Sequence, residues 1–413
     1  MIPIVPVGSP PLVRSASRVR GPTQRARLSA LPPLTLYIHF PWCVKKCPYC
    51  DFNSHERPGG VAAIPEERYV DALVADLDRV VPQVWGRRVH AIFIGGGTPS
   101  LIAPRSIDRL LSEVRARVVL EADAEITLEA NPGTVEAGRF AEYRALGINR
   151  LSLGIQSFDD RFLKALGRIH DGSEAQRAVE IALAHFDNVN LDLMYGLPGQ
   201  DAADAARDVA RARSFAPPHL SLYQLTLEPN TLFAKYPPRL PDEEMAEAIE
   251  GAIAAAVALG GWQRYEVSAY ALPGRESRHN LNYWNFGDYL GIGAGAHGKL
   301  SFPDRIVRQT RIRNPDLYLE RHAGGVAAFD EAIVDDEALP FEFMLNALRL
   351  VDGVPLRRFE ERTGLALAAI EAPLALAESR GLVDRDAFGV RPTARGLLFL
   401  NDLQSLFLPI DRR

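Results

Sequence analysis

The sequence predicts an α/β protein, a partial (β/α)6 barrel followed by a C-terminal, winged-helix-like α+β domain. Three observations carry this. Six strand-like apolar runs alternate with helix-period segments from residue 34 to residue 227. Polar or glycine-rich residues recur where each run stops. The stretch 341–408 reads as helices followed by a short strand pair.

The strand-like runs are 34–40, 89–94, 125–129, 150–155, 189–194 and 220–227. Between them, segments 66–81, 104–118, 135–146, 159–186 and 202–214 repeat apolar residues every three to four positions, the period of a half-buried helix. In the first, Tyr69, Val70, Leu73, Leu77, Val80 and Val81 form one stripe. Repeated strand–helix units argue for a parallel sheet with crossover helices. An open doubly wound sheet has the same period, so the strand ends decide for a barrel. Cys43, Cys47 and Cys50 follow the first run, and Gly95-Gly96-Gly97-Thr98-Pro99 the second. Glu129-Ala130-Asn131-Pro132 ends the third, and Gln156-Ser157-Phe158 the fourth. Asp192 and Tyr195-Gly196-Leu197-Pro198-Gly199 close the fifth, with Gln224 late in the sixth. Such residues at every carboxyl end imply one shared site at the barrel mouth.

Singly these signals have bland readings. The glycines serve either as a flexible turn or as backbone offering N–H groups to a ligand. Glu129 reads as a turn-adjacent acid. Asp192, within an apolar run, reads as an internal hydrogen-bonding group. Gln156 is equally ambiguous, and Arg168 with His170 fits a helix C-terminal charge pattern.

Beyond the barrel, 243–259 reads as a helix begun by Pro241-Asp242, and 262–270 as a strand. The stretch 278–299 places Tyr283, Trp284, Phe286 and Tyr289 beside His279 and a run of spaced glycines, Gly291, Gly293, Gly295 and Gly298. Residue types favour a compact loop packed by its own aromatics. The sharper alternative is a flat apolar surface with an imidazole, suited to a planar macrocycle. Segments 341–350, 355–363, 367–380 and 394–407 read as helices, with a strand pair at 381–383 and 390–393. Acids and bases are nearly balanced there and no helix has a basic face, so packing or partner docking is expected rather than DNA binding. The expected units are a basic extension 1–33, a core barrel 34–240, a barrel extension 241–330 and a C-terminal domain 331–413.

The 413 residues are 47% apolar and 24% charged with net charge −5, which offers no basic excess for nucleic acid. No apolar run is long enough to span a bilayer; 252–259 is short, Ala-rich and reads as a buried helix. Residues 1–33 hold Arg14, Arg18, Arg20, Arg25 and Arg27, and the first carboxylate is Asp51. That is the composition of an organelle transit peptide. Pro3, Pro6, Pro10 and Pro11 would break an amphipathic helix, so a disordered basic extension is expected instead.

The three cysteines of the chain all lie in Cys43-x-x-x-Cys47-x-x-Cys50. An odd, clustered set reads as a metal or cluster site in a reducing compartment, hence cytoplasmic, more than as a disulfide framework. Zinc needs a fourth ligand, for which His39 and His55 are near in sequence. An iron–sulfur cluster held by three thiolates leaves one iron open.

These motifs together resemble the radical S-adenosylmethionine superfamily, and within it the heme-chaperone branch of the coproporphyrinogen oxidase-related family. The resemblance runs from Leu34 to the C-terminus through YIHFPW before the cysteines, Pro48-Tyr49 between them, GGGTPS, EANP, SLGIQSF, DLMYGLPGQ and LSLYQLTLEPNT. It implies a radical-SAM barrel in which Cys43, Cys47 and Cys50 hold a [4Fe–4S] cluster and S-adenosylmethionine chelates the open iron. Tyr37, Tyr49, Gly96, Gly97, Thr98, Glu129, Gln156, Arg168 and Asp192 match positions around that ligand, Asp192 being suited to ribose hydroxyls. Oxidases of the family carry another cysteine two residues after the third, where this chain has Phe52, and they place a structured N-terminal segment over the substrate. His279-Asn280-Leu281-Asn282-Tyr283 fits the H-N-x-x-Y signature of the chaperone branch. The implied function is binding heme and passing it to an acceptor protein, with His279 near the heme and Arg275 and Arg278 available to its propionates. The alternatives are an oxygen-independent coproporphyrinogen-III oxidase and a zinc-stabilised module. The resemblance assigns no catalytic side chain.

Overall fold

The computed structural model describes residues 28–133 and 138–409. Residues 1–27 of the expected extension and the start of the expected 135–146 helix lie outside these. Residues 28–33 run along the barrel, where Leu28 N–H donates to Pro303 O at 3.1 Å and Arg87 Nη2 to Pro32 O at 2.5 Å.

Six parallel strands with helical crossovers build the barrel, in the order β1 (Leu34–Phe40), α1 (Glu66–Val80), β2 (Arg88–Gly96), α2 (Pro104–Arg117), β3 (Val119–Ala130), α3 (Phe140–Ala145) and β4 (Arg150–Gln156). Then come α4 (Asp160–Ala165), α5 (Gly172–His185), β5 (Val189–Tyr195), α6 (Ala202–Ser214) and β6 (His219–Gln224). Strand β3 begins six residues before the predicted 125–129 run, because its first half (Glu121, Asp123) carries no apolar alternation. The predicted 159–186 helix is two helices. Gly167 at φ +69° ends the first, and Asp171 opens the second with a reciprocal capping box to Glu174.

The other elements extend both edges. After α7 (Glu243–Ala258), β7 (Gln263–Glu266) and β8 (Ala269–Ala271) form an antiparallel hairpin on β6, where one strand was expected. The dense aromatic stretch is not a loop. It folds as α8 (Arg278–Trp284), β9 (Asp288–Ile292), parallel to β1, and β10 (His297–Phe302). With β11 (Arg305–Arg311), α9 (Pro315–Ala323) and β12 (Phe329–Ile333), the sheet has 12 strands in the order β12-β11-β10-β9-β1-β2-β3-β4-β5-β6-β8-β7. Its end strands do not pair with each other, so the barrel is partial.

A second core follows, from α10 (Leu339–Ala347), β13 (Val354–Pro355), α11 (Arg357–Thr363), α12 (Ala368–Ser379), β14 (Val383–Arg385) and β15 (Gly389–Pro392). Its three strands pair in the order β13-β15-β14, the helices-then-wing arrangement expected. The final helix is broken at Phe399 into α13 (Ala394–Leu398) and α14 (Leu400–Ser405). Trp284 and Phe286 of the barrel extension are buried in this core with Phe343, Phe359 and Leu403. Arg349–Glu266 at 3.0 Å and an Arg308–Glu342 pair join it to the barrel. No helix among the described residues is long and apolar enough to cross a membrane.

Candidate functional site

Strand alternation divides the barrel residues into two faces. Leu36, Ile38, Ile92, Ile94, Ile126, Leu128, Leu151, Leu153, Leu191 and Leu220 are buried in the apolar core beneath the helices. The alternate positions, including Tyr37, Phe93, Thr127, Glu129, Ser152, Asn190, Asp192 and Ser221, face the barrel interior. A polar inner face is costly to bury without a purpose for its groups.

The cysteine loop closes this interior at the carboxyl ends of the strands. Trp42, buried, packs edge-on to Tyr69 at 4.8 Å and to Phe40 at 5.3 Å, fixing the loop's start. Trp42–Cys43 pairs with His55–Glu56, drawing the two ends of the loop together. Asn53 donates to Ala294 O at 2.8 Å and to Arg313 O at 2.9 Å, tying the loop to the β9–β10 connection and to the segment between β11 and α9. The downstream glycines permit this approach, since a Cβ on Gly295 would lie 2.2 Å from Asn53 Nδ2.

The Gly95–Gly97 run also differs from expectation. Its N–H groups are not held out to a ligand: Gly96 N–H donates to Glu129 Oε2 at 2.9 Å and Gly97 N–H to Phe40 O at 2.7 Å. The absence of a side chain is what matters, because a Cβ on Gly97 would lie 2.5 Å from Trp42 O.

Arg168 is no helix-end charge. It reaches into the mouth, donating to Cys47 Sγ at 3.4 Å, Asn131 Oδ1 at 2.6 Å and Gly154 O at 3.0 Å, while its buried Nε lacks a partner. Asn131 donates to Thr98 Oγ1 at 2.9 Å. Gln156, at φ +68°, ends β4 with its amide beside Gly154. Asp192 accepts from Ser152 Oγ at 3.0 Å and Asn190 Nδ2 at 2.9 Å. Tyr49 packs toward Phe233, 6.3 Å between ring centroids, on the Met194–Leu225 cluster. Tyr37 OH meets His39 Nδ1 at 2.8 Å. The structure thus joins the predicted Cys43–Cys50, Tyr37, Tyr49, Gly96, Gly97, Thr98, Glu129, Gln156, Arg168 and Asp192 around one mouth. Asn131, Ser152 and Asn190 are additions; EANP pointed to the first, and strand alternation to the others.

Burial pushes the Cys43 thiol up to about 12 and raises Cys50 as well, so loading a metal centre there releases protons. Burial, with Asp192 nearby, pushes Glu129 up to about 7. Among the described residues no three His, Cys, Asp or Glu side chains converge as on a single metal ion. The histidines offered for zinc are engaged: His39 Nε2 meets Asn53 O at 2.9 Å, and His55 Nε2 meets Asn53 Oδ1 at 3.1 Å. A cluster instead takes one thiolate per iron, which suits three soft ligands on a short loop.

His279 lies apart from the mouth. It is 1% exposed near the amino ends of the strands, its ring 4.9 Å from Phe93, 6.3 Å from Tyr37 and 4.6 Å from Tyr283. Neither ring nitrogen has a hydrogen-bond partner, and burial pushes its pKa down to about 3. Trp284, Phe286 and Tyr289 are buried too, so the stretch presents no flat apolar surface. Arg278 pairs with Glu121 and Asp123 of β3 at 3.3 and 3.1 Å.

Residues 37–212 match the model of the radical SAM superfamily, and residues 334–399 that of the HemN C-terminal domain. The heme chaperone HemW of Escherichia coli (strain K12) is 50% identical over 382 residues, 92% of this chain and 99% of that protein. The chain belongs to the HemW family. HemW of Haemophilus influenzae is 48% identical, covering 92% of this chain and 98% of its own. The solved coproporphyrinogen III oxidase HemN of E. coli superposes with a TM-score of 0.77 over 91% of this chain and 90% of its own, at 24% identity, a likeness of fold. Membership of the radical SAM superfamily implies a [4Fe–4S] cluster and S-adenosylmethionine. The mouth described above fits both: three thiols, a half-buried guanidinium beside one of them, and the carboxylates of Glu129 and Asp192 for a cationic ligand.

Proposed function

We propose that this protein is a heme chaperone: it binds heme, a [4Fe–4S] cluster and S-adenosylmethionine, and passes the heme to an acceptor protein. The observation that carries the reading is the 50% identity to the E. coli heme chaperone along nearly its whole length. Cys43, Cys47 and Cys50 hold the cluster, whose open iron supplies the anchoring point for the amino and carboxylate groups of S-adenosylmethionine. Tyr37, Tyr49, Gly96, Gly97, Thr98, Glu129, Gln156 and Arg168 surround that ligand, and Asp192 takes its ribose hydroxyls. The working units are a barrel (34–240), its extension (241–330) and a C-terminal unit (331–413) for docking.

Heme binding is assigned to the α8 region. Two buried, unpartnered ring nitrogens support His279 as the residue linked to heme, since such atoms ordinarily find partners. Its depth means that α8 moves off the barrel when heme is engaged. Hemin added to the cluster-loaded protein is expected to give a Soret band that His279→Ala weakens about tenfold in affinity, a loss of about 1.4 kcal/mol. An unchanged binding curve removes His279 from this role. Protoporphyrinogen formed from coproporphyrinogen in an anaerobic assay would replace the chaperone reading with the oxidase one.

Glu129 makes S-adenosylmethionine binding pH-dependent. Its folded pKa of about 7 falls when a cationic ligand sits beside it, so binding expels a proton below that value. Affinity is expected to rise from pH 6 to pH 8, by up to about tenfold per unit below pH 7, then level off. In the free protein the raised pKa has the opposite sense: stability declines as pH rises from the usual carboxylate range toward 7. Titration of Glu129→Gln is expected to give a flat affinity profile over this range; an unchanged slope assigns the proton elsewhere.

A further inference from the structure

We propose that His219 is a positioning residue for S-adenosylmethionine, orienting the Asp192 carboxylate through Asn190. The inference rests on the reading above that Asp192 holds the ribose. On adjacent strands Ser152 is in register with Asn190, Asn190 with His219, and Asp192 with Ser221, so these inward side chains form one patch. Asn190 is its pivot. Its Nδ2 donates to Asp192 Oδ1 at 2.9 Å and to Ser152 Oγ at 2.8 Å. A carboxylate only accepts, so the amide nitrogen must face Asp192, and Oδ1 must face the other way. There Oδ1 accepts from Ser221 Oγ at 3.0 Å and from His219 Nδ1 at 2.6 Å.

The tautomer of His219 follows from that orientation. Nδ1 carries the proton, and Nε2 accepts from Tyr265 OH at 2.9 Å. The imidazole is fully buried, and burial holds its pKa well below the ordinary value, so it is neutral. Tyr265 OH in turn accepts from Ser277 N–H at 3.3 Å, and Ser277 is the N-cap of α8. Donors therefore point one way along the whole chain: Ser277 N–H, Tyr265 O–H, His219 Nδ1–H, Asn190 Nδ2–H, Asp192. A merely space-filling core histidine has no need of this alignment. Without the Nδ1–H, the Asn190 amide loses its shortest restraint, and turning it would bring Oδ1 against the Asp192 carboxylate. The same chain ties the nucleoside end of the mouth to the helix that carries His279.

The test is equilibrium titration of the full, cluster-loaded chain with S-adenosylmethionine. His219→Leu is expected to weaken binding about tenfold at unchanged iron content, the upper end of the scale for a lost hydrogen bond between neutral groups. His219→Asn, whose amide nitrogen takes the place of Nδ1, is expected to recover affinity to within about threefold of the parent. Tyr265→Phe, which removes one hydroxyl and keeps the ring, is expected to weaken binding about threefold. Because His219 acts through Asp192, the double variant Asp192→Asn/His219→Leu should bind no more weakly than Asp192→Asn alone. Parental affinity in His219→Leu overturns the proposal, as does full additivity in the double variant. If Asp192→Asn itself binds like the parent, the ribose reading fails and the positioning role with it. If Asp192→Asn is weakened while His219→Leu is not, the reading stands and only this inference falls. Should His219→Leu not fold, the Tyr265→Phe and His219→Asn titrations decide alone.

Discussion

Replacing Cys47 by Ser is expected to abolish the iron–sulfur cluster. The thiol lies in the turn where Cys50 N–H donates to Cys47 O at 3.1 Å, and it accepts from the half-buried Arg168 guanidinium at 3.4 Å. Serine keeps the turn but offers iron a hard, protonated oxygen in place of a soft thiolate. Among the described residues no other cysteine stands by to replace it, since all three belong to this loop. Anaerobic reconstitution should yield a protein lacking the broad visible absorption of the parent and lacking measurable S-adenosylmethionine binding, because the open iron is gone with the cluster. Retention of full iron and sulfide content in Cys47→Ser would show that the thiol is not a ligand.

The second large effect is structural and lies behind the site. Asp76 of α1 is fully buried and faces Arg311 of β11, itself 1% exposed, at 3.3 Å. Tyr318 O–H at 2.8 Å and Gly293 N–H at 3.2 Å donate to the same carboxylate. Removing one partner of such a pair leaves a buried charge uncompensated, at a cost of about 3–5 kcal/mol. Asp76→Ala should lower the denaturation midpoint correspondingly, measured by urea unfolding under anaerobic conditions. The effect should reach the cysteine loop as well, because Gly293 and Ala294 are the backbone on which Asn53 is tied. A stability loss under about 1 kcal/mol would place Arg311 in contact with water rather than in a dry interior.

The fold was legible because the outer faces of the barrel strands repeat apolar residues with unambiguous periods. The cluster loop was legible for a different reason, since three clustered cysteines leave few chemical options. Harder to read were residues whose roles depend on neighbours far away in the chain. Arg168 has a helix-end context in sequence, and only the turn at Gly167 directs it to Cys47. The glycines at 96–97 and 295 exist for backbone approaches to Trp42 and Asn53, which no local pattern encodes. The stretch 278–299 reads as a loop in sequence because its aromatics follow no clean period: Tyr289 sits on barrel strand β9, while Tyr283, Trp284 and Phe286 pack against the C-terminal core. Asn190 and Ser152 were invisible singly, and become meaningful only when strand register sets them beside Asp192.

The central claim is that one chain carries both a cluster-bearing barrel and a heme site. It is tested most directly by the anaerobic absorption spectrum of the reconstituted protein during titration with hemin. The expected result is broad iron–sulfur absorption from the outset and a Soret band that saturates at one heme per chain, with the cluster retained. A colourless starting protein, or hemin absorbance that rises without saturation, would contradict it.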